Sequence, residues 1–120
     1  MLRLMTTLRD LVDRYTTAWT NADEELFLSM VADGCVRHDP GTVHTISHAE
    51  NAARFRHTHE QFPGLTFANA WMFEHGDDTI TVCYAMTSGA TTLAGIEVFR
   101  FAGGRIVEVW NAPPGTGAWA

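Results

Sequence analysis

The first half of the chain carries apolar residues at helical spacing. Over about residues 5–20 this spacing predicts one helix whose apolar stripe consists of Leu4, Leu8, Leu11, Val12, Tyr15, Ala18 and Trp19. Asp23 can cap a second helix, and Ser47 opens a Ser-x-x-Glu capping box that begins a third, ending near Gln61. Between the second and third helices, a short strand runs into an Asp39-Pro40-Gly41 turn.

From Leu65 onward the apolar period changes to two, which is typical of strands. The four predicted strands are Leu65 to Phe73, Ile80 to Met86, Leu93 to Phe101 and Arg105 to Asn111. The residues expected to share one face of the first strand are Leu65, Phe67, Asn69, Trp71 and Phe73. Helices followed by an antiparallel meander predict an α+β fold, in which three helices pack on one side of a curved sheet and enclose a cone-shaped pocket.

Composition and charge narrow the class of protein. A chain of 120 residues, 46% hydrophobic and 18% charged, is expected to form a single domain over residues 1–120. A net charge of -6 argues against nucleic acid or an anionic membrane as partner. The segment from Met1 to Met5 is not followed by the apolar region of a signal peptide, and no run is long enough for a membrane helix, so we expect a cytoplasmic protein.

Three residues suggest acid–base chemistry. Glu97 lies at mid-strand among apolar residues, where an unpaired carboxyl group is costly and tends to acquire a proton or a partner such as Arg54 or Arg105. Tyr15 lies in the apolar stripe of the first helix, and Asp39 is held in its turn. Each has an ordinary structural explanation, but together they would supply one base and two neutral hydrogen-bond donors.

The arrangement of these residues resembles the ketosteroid isomerases. In those enzymes a helix tyrosine and an Asp-Pro turn are separated by the same gapless distance as Tyr15 and Asp39 in the segment from Arg14 to Gly41. The segment from Gly95 to Phe101 resembles the isomerase strand that carries a second acid, with Glu97 in place of an aspartate. The segment from Arg105 to Trp110 is similar to the closing strand of the wider NTF2-like, or SnoaL-like, superfamily of cone-shaped α+β proteins.

The resemblance implies a proton-shuttle enzyme that needs no metal or organic cofactor. Asp39 would be the general base, while Tyr15 and a protonated Glu97 would donate hydrogen bonds to a developing enolate oxygen. The expected substrate is a hydrophobic small molecule, steroid-like or polyketide-like, and a homodimer through the sheet face is implied. Residues expected to contact substrate are His38, Trp19, Phe55, Trp71, Tyr84, Phe99 and Asn111.

Other functions remain open from the sequence. A SnoaL-like polyketide cyclase would carry an acid near the end of the last strand, where this chain has Asn111. A limonene-epoxide-hydrolase site would need an arginine beside Glu97; this chain has Gly95 there, so that chemistry is not expected. The same pocket could also bind a flat apolar ligand without turnover. The six histidines show no metal-ligand spacing, and His38 should point to the opposite strand face from Asp39.

Overall fold

The helices come first along the chain and the main strands last. The computed structural model describes residues 6–120, so Leu4 and the start of the predicted first helix lie outside the described part. The elements are α1 (Leu8–Thr20), α2 (Glu24–Ser29), β1 (Val31–Asp39), β2 (Thr42–Ile46), α3 (His48–Gln61), β3 (Thr66–His75), β4 (Thr79–Ser88), β5 (Thr91–Ala102), β6 (Arg105–Asn111) and β7 (Gly115–Thr116). None of the helices within residues 6–120 has the length and apolar character needed to cross a membrane.

Side-chain caps fix where the three helices begin. Ser47 accepts from the backbone N–H of Glu50 while Glu50 reaches back to the Ser47 N–H, which confirms the predicted capping box of α3. Asp23 accepts from the N–H of Leu26 and caps α2, also as predicted. Thr7 forms a second capping box at the start of α1.

The strands form one curved, mostly antiparallel sheet in the order β2-β1-β6-β5-β4-β3, with β7 paired to β5. β1 and β6 run parallel, and the remaining neighbours run antiparallel. The predicted α+β architecture is therefore confirmed. Residues 42–46, which carried no clear pattern, pair with β1 as a hairpin in which Gly41 takes a positive φ of 84° at the turn.

The predicted face of β3 is wrong in its second half because the strand contains a bulge. Asn69 pairs with Tyr84 but Trp71 pairs with Cys83, so Ala70 is an extra residue between them. One extra residue reverses the alternation of side chains. Trp71 and Phe73 are consequently 47% and 53% exposed on the outer face, and Met72 packs against the core instead.

Helix α1 crosses the inner face of the sheet and is tied to β3 at two points. Thr20 accepts a hydrogen bond from the backbone N–H of Phe67, and Asn69 donates to the hydroxyl of Thr16. The apolar stripe of α1, including Trp19, packs with α2, α3 and the inner side chains of the sheet into one core. This packing directs the side chains of α1 toward the space between the helices and the sheet.

Candidate active site

A cavity of about 260 Å³ lies between the helices and the inner face of the sheet. This volume is slightly below the range of roughly 300–1,000 Å³ that is usual for small-molecule sites. Its apolar walls are formed by Val12, Trp19, Phe67, Val82, Met86 and Phe99. Phe62 and Pro114, which retain exposed surface in connecting segments, lie at its rim.

One cross-strand row carries both candidate acids. Glu97 of β5 pairs directly with Asn111 of β6 and with Val82 of β4. Asp39 is one residue beyond the last β1 residue that pairs with β6, and it accepts a hydrogen bond from Asn111 Nδ2 at 3.3 Å. Because neighbouring strands lie about 4.8 Å apart, Asp39 and Glu97 are separated by roughly two strand spacings, with the amide of Asn111 between them.

Tyr15 faces this row from α1. Its ring packs edge-on against Phe99, two residues from Glu97 on the same strand face, with 5.3 Å between ring centroids. Burial raises the pKa of the Tyr15 phenol, and the nearby Glu97 raises it further. Tyr15 is therefore a neutral hydrogen-bond donor, held in place by the packing of α1.

A second phenol in the cavity wall belongs to Tyr84 of β4, whose ring lies over its cross-strand partner Gly95 in β5. A Cβ atom on its cross-strand partner Gly95 would lie 2.6 Å from Cζ of the Tyr84 ring, so only glycine leaves room for this ring position. Burial also raises the pKa of the Tyr84 phenol, with Glu97 as the next cause. The cavity thus offers two neutral phenols near one carboxyl group.

The environment of Glu97 favours its neutral form. Burial raises the pKa of Glu97, whereas Arg37 and Arg54 oppose the rise and Asp39 adds to it. Glu97 keeps some accessible surface because it lines the cavity, but its carboxyl group is enclosed by protein. Since burial is the largest cause, Glu97 can act as a hydrogen-bond donor.

Asp39 lies in a different environment at the edge of the cavity. Its side chain is 30% exposed, and Arg37 Nε lies 3.3 Å from its carboxylate. Asp39 is not itself part of the cavity wall, but Arg37 and Asn111, the two residues that contact it, both are. The structure thus brings Tyr15 and Glu97 into the wall and places Asp39 at its margin.

The predicted substrate contacts divide into two groups. Trp19, Tyr84, Phe99 and Asn111 line the cavity. Phe55 lies behind Trp19, buried in the core with 4.6 Å between the two ring centroids. Trp71 lies on the outer face of the sheet because of the β3 bulge.

His38 is also placed on the outer face, away from the cavity. Its ring stacks on Trp110 with 4.8 Å between centroids, and Nε2 lies 2.6 Å from a carboxylate oxygen of Glu108. Hydrogen bonds from His38 and Arg100 lower the pKa of Glu108. The structure therefore supplies an outer-face role for His38 rather than a substrate contact, in line with the expected alternation along β1.

Two arginines line the cavity: Arg37, which the sequence did not single out, and Arg54, which it indicated only as a possible partner of Glu97. Arg37 is two residues before Asp39, so strand alternation alone would have placed both on one face. Arg54 lies three residues after Asn51 on the inward side of α3, a signal that helical spacing could have given. No arginine projects from β5 beside Glu97, yet Arg37 enters the cavity from β1.

Residues 6–120 contain no group of three or more His, Cys, Asp or Glu side chains arranged to hold a metal ion. The polar groups of the cavity are two phenols, two guanidinium groups, a carboxyl group, two threonine hydroxyls and two amides. Such a set can bind a carbonyl oxygen or an anion and can move a proton.

Comparisons with known proteins agree with the fold. A SnoaL-like protein of unknown function from Burkholderia thailandensis superposes with a TM-score of 0.75 at 20% identity, covering 95% of this chain and 99% of that one. A protein from Kribbella flavida, provisionally assigned as a ketosteroid isomerase, gives 0.71 at 17% identity over 89% and 82% of the two chains. IdmH from Streptomyces antibioticus, provisionally assigned as a polyketide cyclase, gives 0.72 at 19% identity over 86% and 88%.

At these identities the structural matches establish the fold alone. No curated protein matches the sequence significantly. The profile of the SnoaL-like domain matches residues 12–109, from within α1 to within β6. The chain therefore belongs to the SnoaL-like domain family, within the NTF2-like fold.

Proposed function

We propose that this protein is a ketosteroid-isomerase-like enzyme that moves a proton next to the carbonyl group of a hydrophobic substrate. The observation that carries the proposal is the cross-strand row Asp39–Asn111–Glu97, faced by Tyr15 from α1. Asp39 takes a proton from the carbon beside the carbonyl and returns it to another carbon of the same conjugated system. Tyr15 and Glu97 donate hydrogen bonds to the enolate oxygen formed in between.

The division of roles follows from the two carboxyl environments. Asp39 is partly exposed and paired with Arg37, which suits a carboxylate that accepts a proton. Glu97 is enclosed, and burial raises its pKa, which suits a neutral donor. Two carboxyl groups in such different environments suit the roles of base and acid in one site. The ketosteroid isomerases are the best-known case of this division between two carboxyl groups.

The proposal also specifies the substrate class and the oligomeric state. The apolar walls fit a flat, ring-containing substrate of the steroid or polyketide type, and no part of the proton transfer calls for a cofactor. The exposed apolar side chains of the outer sheet face fit a homodimer through that face.

A steroid isomerisation assay tests the activity. Conversion of a β,γ-unsaturated 3-ketosteroid to its conjugated isomer is followed by ultraviolet absorbance. We expect turnover by the wild type, and a loss of about 10²–10⁴-fold in Asp39→Asn because the general base is removed. Binding of a phenolic steroid, measured alongside, should survive the substitution.

Binding without turnover would contradict the enzyme assignment. A wild type that binds the phenolic steroid but converts no substrate would favour a small-molecule binding protein on the same fold. Unchanged turnover in Asp39→Asn would remove Asp39 as the base.

A further inference from the structure

Arg54 is a cation in the cavity wall whose donors are mostly unused by the protein. It projects from α3, and its one side-chain hydrogen bond among the described residues runs from Nη2 to Asn51 Oδ1, 3.2 Å away on the same helix. Its Nε is buried and donates to no described residue. Because a guanidinium carries five N–H donors in a planar fork, most of them remain for another acceptor.

The carboxyl groups of the cavity do not neutralise Arg54. Within residues 6–120, no carboxylate oxygen lies within the 4.0 Å limit of an ion pair with its guanidinium nitrogens. Asp39 pairs with Arg37 instead. Burial raises the pKa of Glu97 and favours its neutral form. In the described part of the chain, the guanidinium of Arg54 is therefore left without a direct carboxylate partner.

Trp19 holds this charge in a fixed place. Arg54 Cζ lies 5.9 Å from the centroid of a Trp19 ring, within the cation–π range of about 6 Å. Trp19 is buried and is itself stacked with His59, with 5.8 Å between centroids and 21° between planes. A planar fork that is already positioned loses little entropy when it binds a planar anion.

We propose that Arg54 forms an anion subsite, and that the ligand of this cavity carries a carboxylate or a similar planar anionic oxygen group beside its apolar rings. This deepens the proposed function, on which it rests, by naming the substrate class as an acidic ring-containing carbonyl compound. The carboxylate accepts hydrogen bonds from the Arg54 fork while the rings pack against Trp19 and Phe67. A charged ligand gains more here than a neutral ligand of the same shape, because the partly buried guanidinium has no carboxylate partner.

Paired probes of one shape test the subsite without requiring turnover. Binding of naphthalene-2-carboxylate and of the neutral, similarly shaped naphthalene-2-carboxamide is measured by titration calorimetry. We expect the wild type to prefer the carboxylate by roughly tenfold or more, as for a charge-assisted hydrogen-bonded pair. Arg54→Met should abolish the preference, Arg54→Lys should keep part of it, and added NaCl should weaken binding of the carboxylate only.

Arg56→Met is the matched control. Arg56 is on the same helix but exposed, where it forms a two-point ion pair with Glu24 at 2.6 and 2.8 Å. This variant should keep the wild-type preference. If Arg54→Met does not give a cooperative thermal transition, the Arg54→Lys variant and the NaCl dependence of the wild type decide the matter.

Equal binding of both probes by the wild type, binding of neither, or an unchanged preference in the Arg54 variants would overturn the subsite. The result is separate from the isomerase proposal. A carboxylate preference without proton transfer would keep the subsite and remove the isomerase, whereas proton transfer without the preference would do the reverse.

Discussion

Glu97 brings an ionisable carboxyl group into an otherwise apolar strand face, and its surroundings decide its protonation. Burial raises its pKa more than Arg37 and Arg54 lower it. The consequence is a linkage between pH and stability. A carboxyl group whose pKa is raised in the folded state contributes stability that is complete below the unfolded pKa and is lost as the pH rises through the folded one.

Glu97→Gln should therefore change the pH dependence of folding. Glutamine retains the shape and cannot ionise, so the free energy of unfolding of the wild type relative to the variant should fall as the pH rises above the ordinary glutamate value of 4.5. The decline should level off once the pH exceeds the raised pKa. Urea denaturation of both proteins between about pH 4.5 and pH 8.5 measures it. A difference that stays constant across this range would show that Glu97 is not buried in the neutral form.

At the residue scale, sequence reasoning recovered what depends on spacing along the chain. The number of residues between Tyr15 and Asp39, and the apolar neighbours of Glu97, can be read directly from the sequence. Arg54 could be named from the sequence only as a possible partner of Glu97, because its place in the cavity wall depends on how α3 is oriented. Helical spacing identifies a face, but only the packing on α2 and β1 shows which polar group on that face reaches the interior.

At the element scale, β3 and β4 show how one residue redirects a strand. Strand β4 is regular, and simple alternation accounts for its inner face, which carries Val82 and Tyr84. The same rule failed in β3 after Asn69 because Ala70 forms a bulge. Nothing in the local composition distinguishes Ala70 as a bulge residue, since it is fixed by pairing with β4.

The close approach of the Tyr84 ring to Gly95 gives a prediction for the β4–β5 pair. Gly95→Ala should lower the free energy of unfolding by about 1–3 kcal/mol, because the new Cβ would overlap the Tyr84 ring. The same substitution should cost clearly less in a Tyr84→Leu background. It should remain costly in a Tyr84→Phe background, where the ring carbons at 2.6 and 2.9 Å are retained. Urea denaturation measures these free energies. If Gly95→Ala lowers the free energy of unfolding by the same amount in all three backgrounds, a specific clash with the Tyr84 ring is contradicted.

At the scale of the whole molecule, the outer face of the sheet is the largest unexplained surface. Its register aligns Val43, His38, Trp110 and Val98 across β2, β1, β6 and β5. Trp110, Ile96, Trp71 and Phe73 are between 37% and 53% exposed, which is high for large apolar side chains on one face. A second copy of the chain would cover them, and the stacked His38–Trp110 pair would lie within that interface.

Ile96→Lys tests the dimer. Ile96 is 42% exposed on the outer face, opposite Cys83, and a lysine there would place a charge in the proposed interface. We expect sedimentation equilibrium to show a dimer for the wild type and a monomer for the variant. Thr91→Lys, exposed at the start of the same strand, should remain dimeric. A wild type that is monomeric at all concentrations would remove the interface.

Hydrogen exchange at a ketone tests the central claim most directly, because it reports proton transfer without requiring the natural substrate. A bicyclic ketone such as 1-tetralone is incubated with the protein in D₂O, and loss of its α-proton signals is followed by NMR. The account predicts exchange well above the buffer rate for the wild type and for Asp77→Asn, a control in the exposed β3–β4 turn. Asp39→Asn should exchange about 10²–10⁴-fold more slowly. Exchange by the wild type at the buffer rate, or by Asp39→Asn at the wild-type rate, would contradict it.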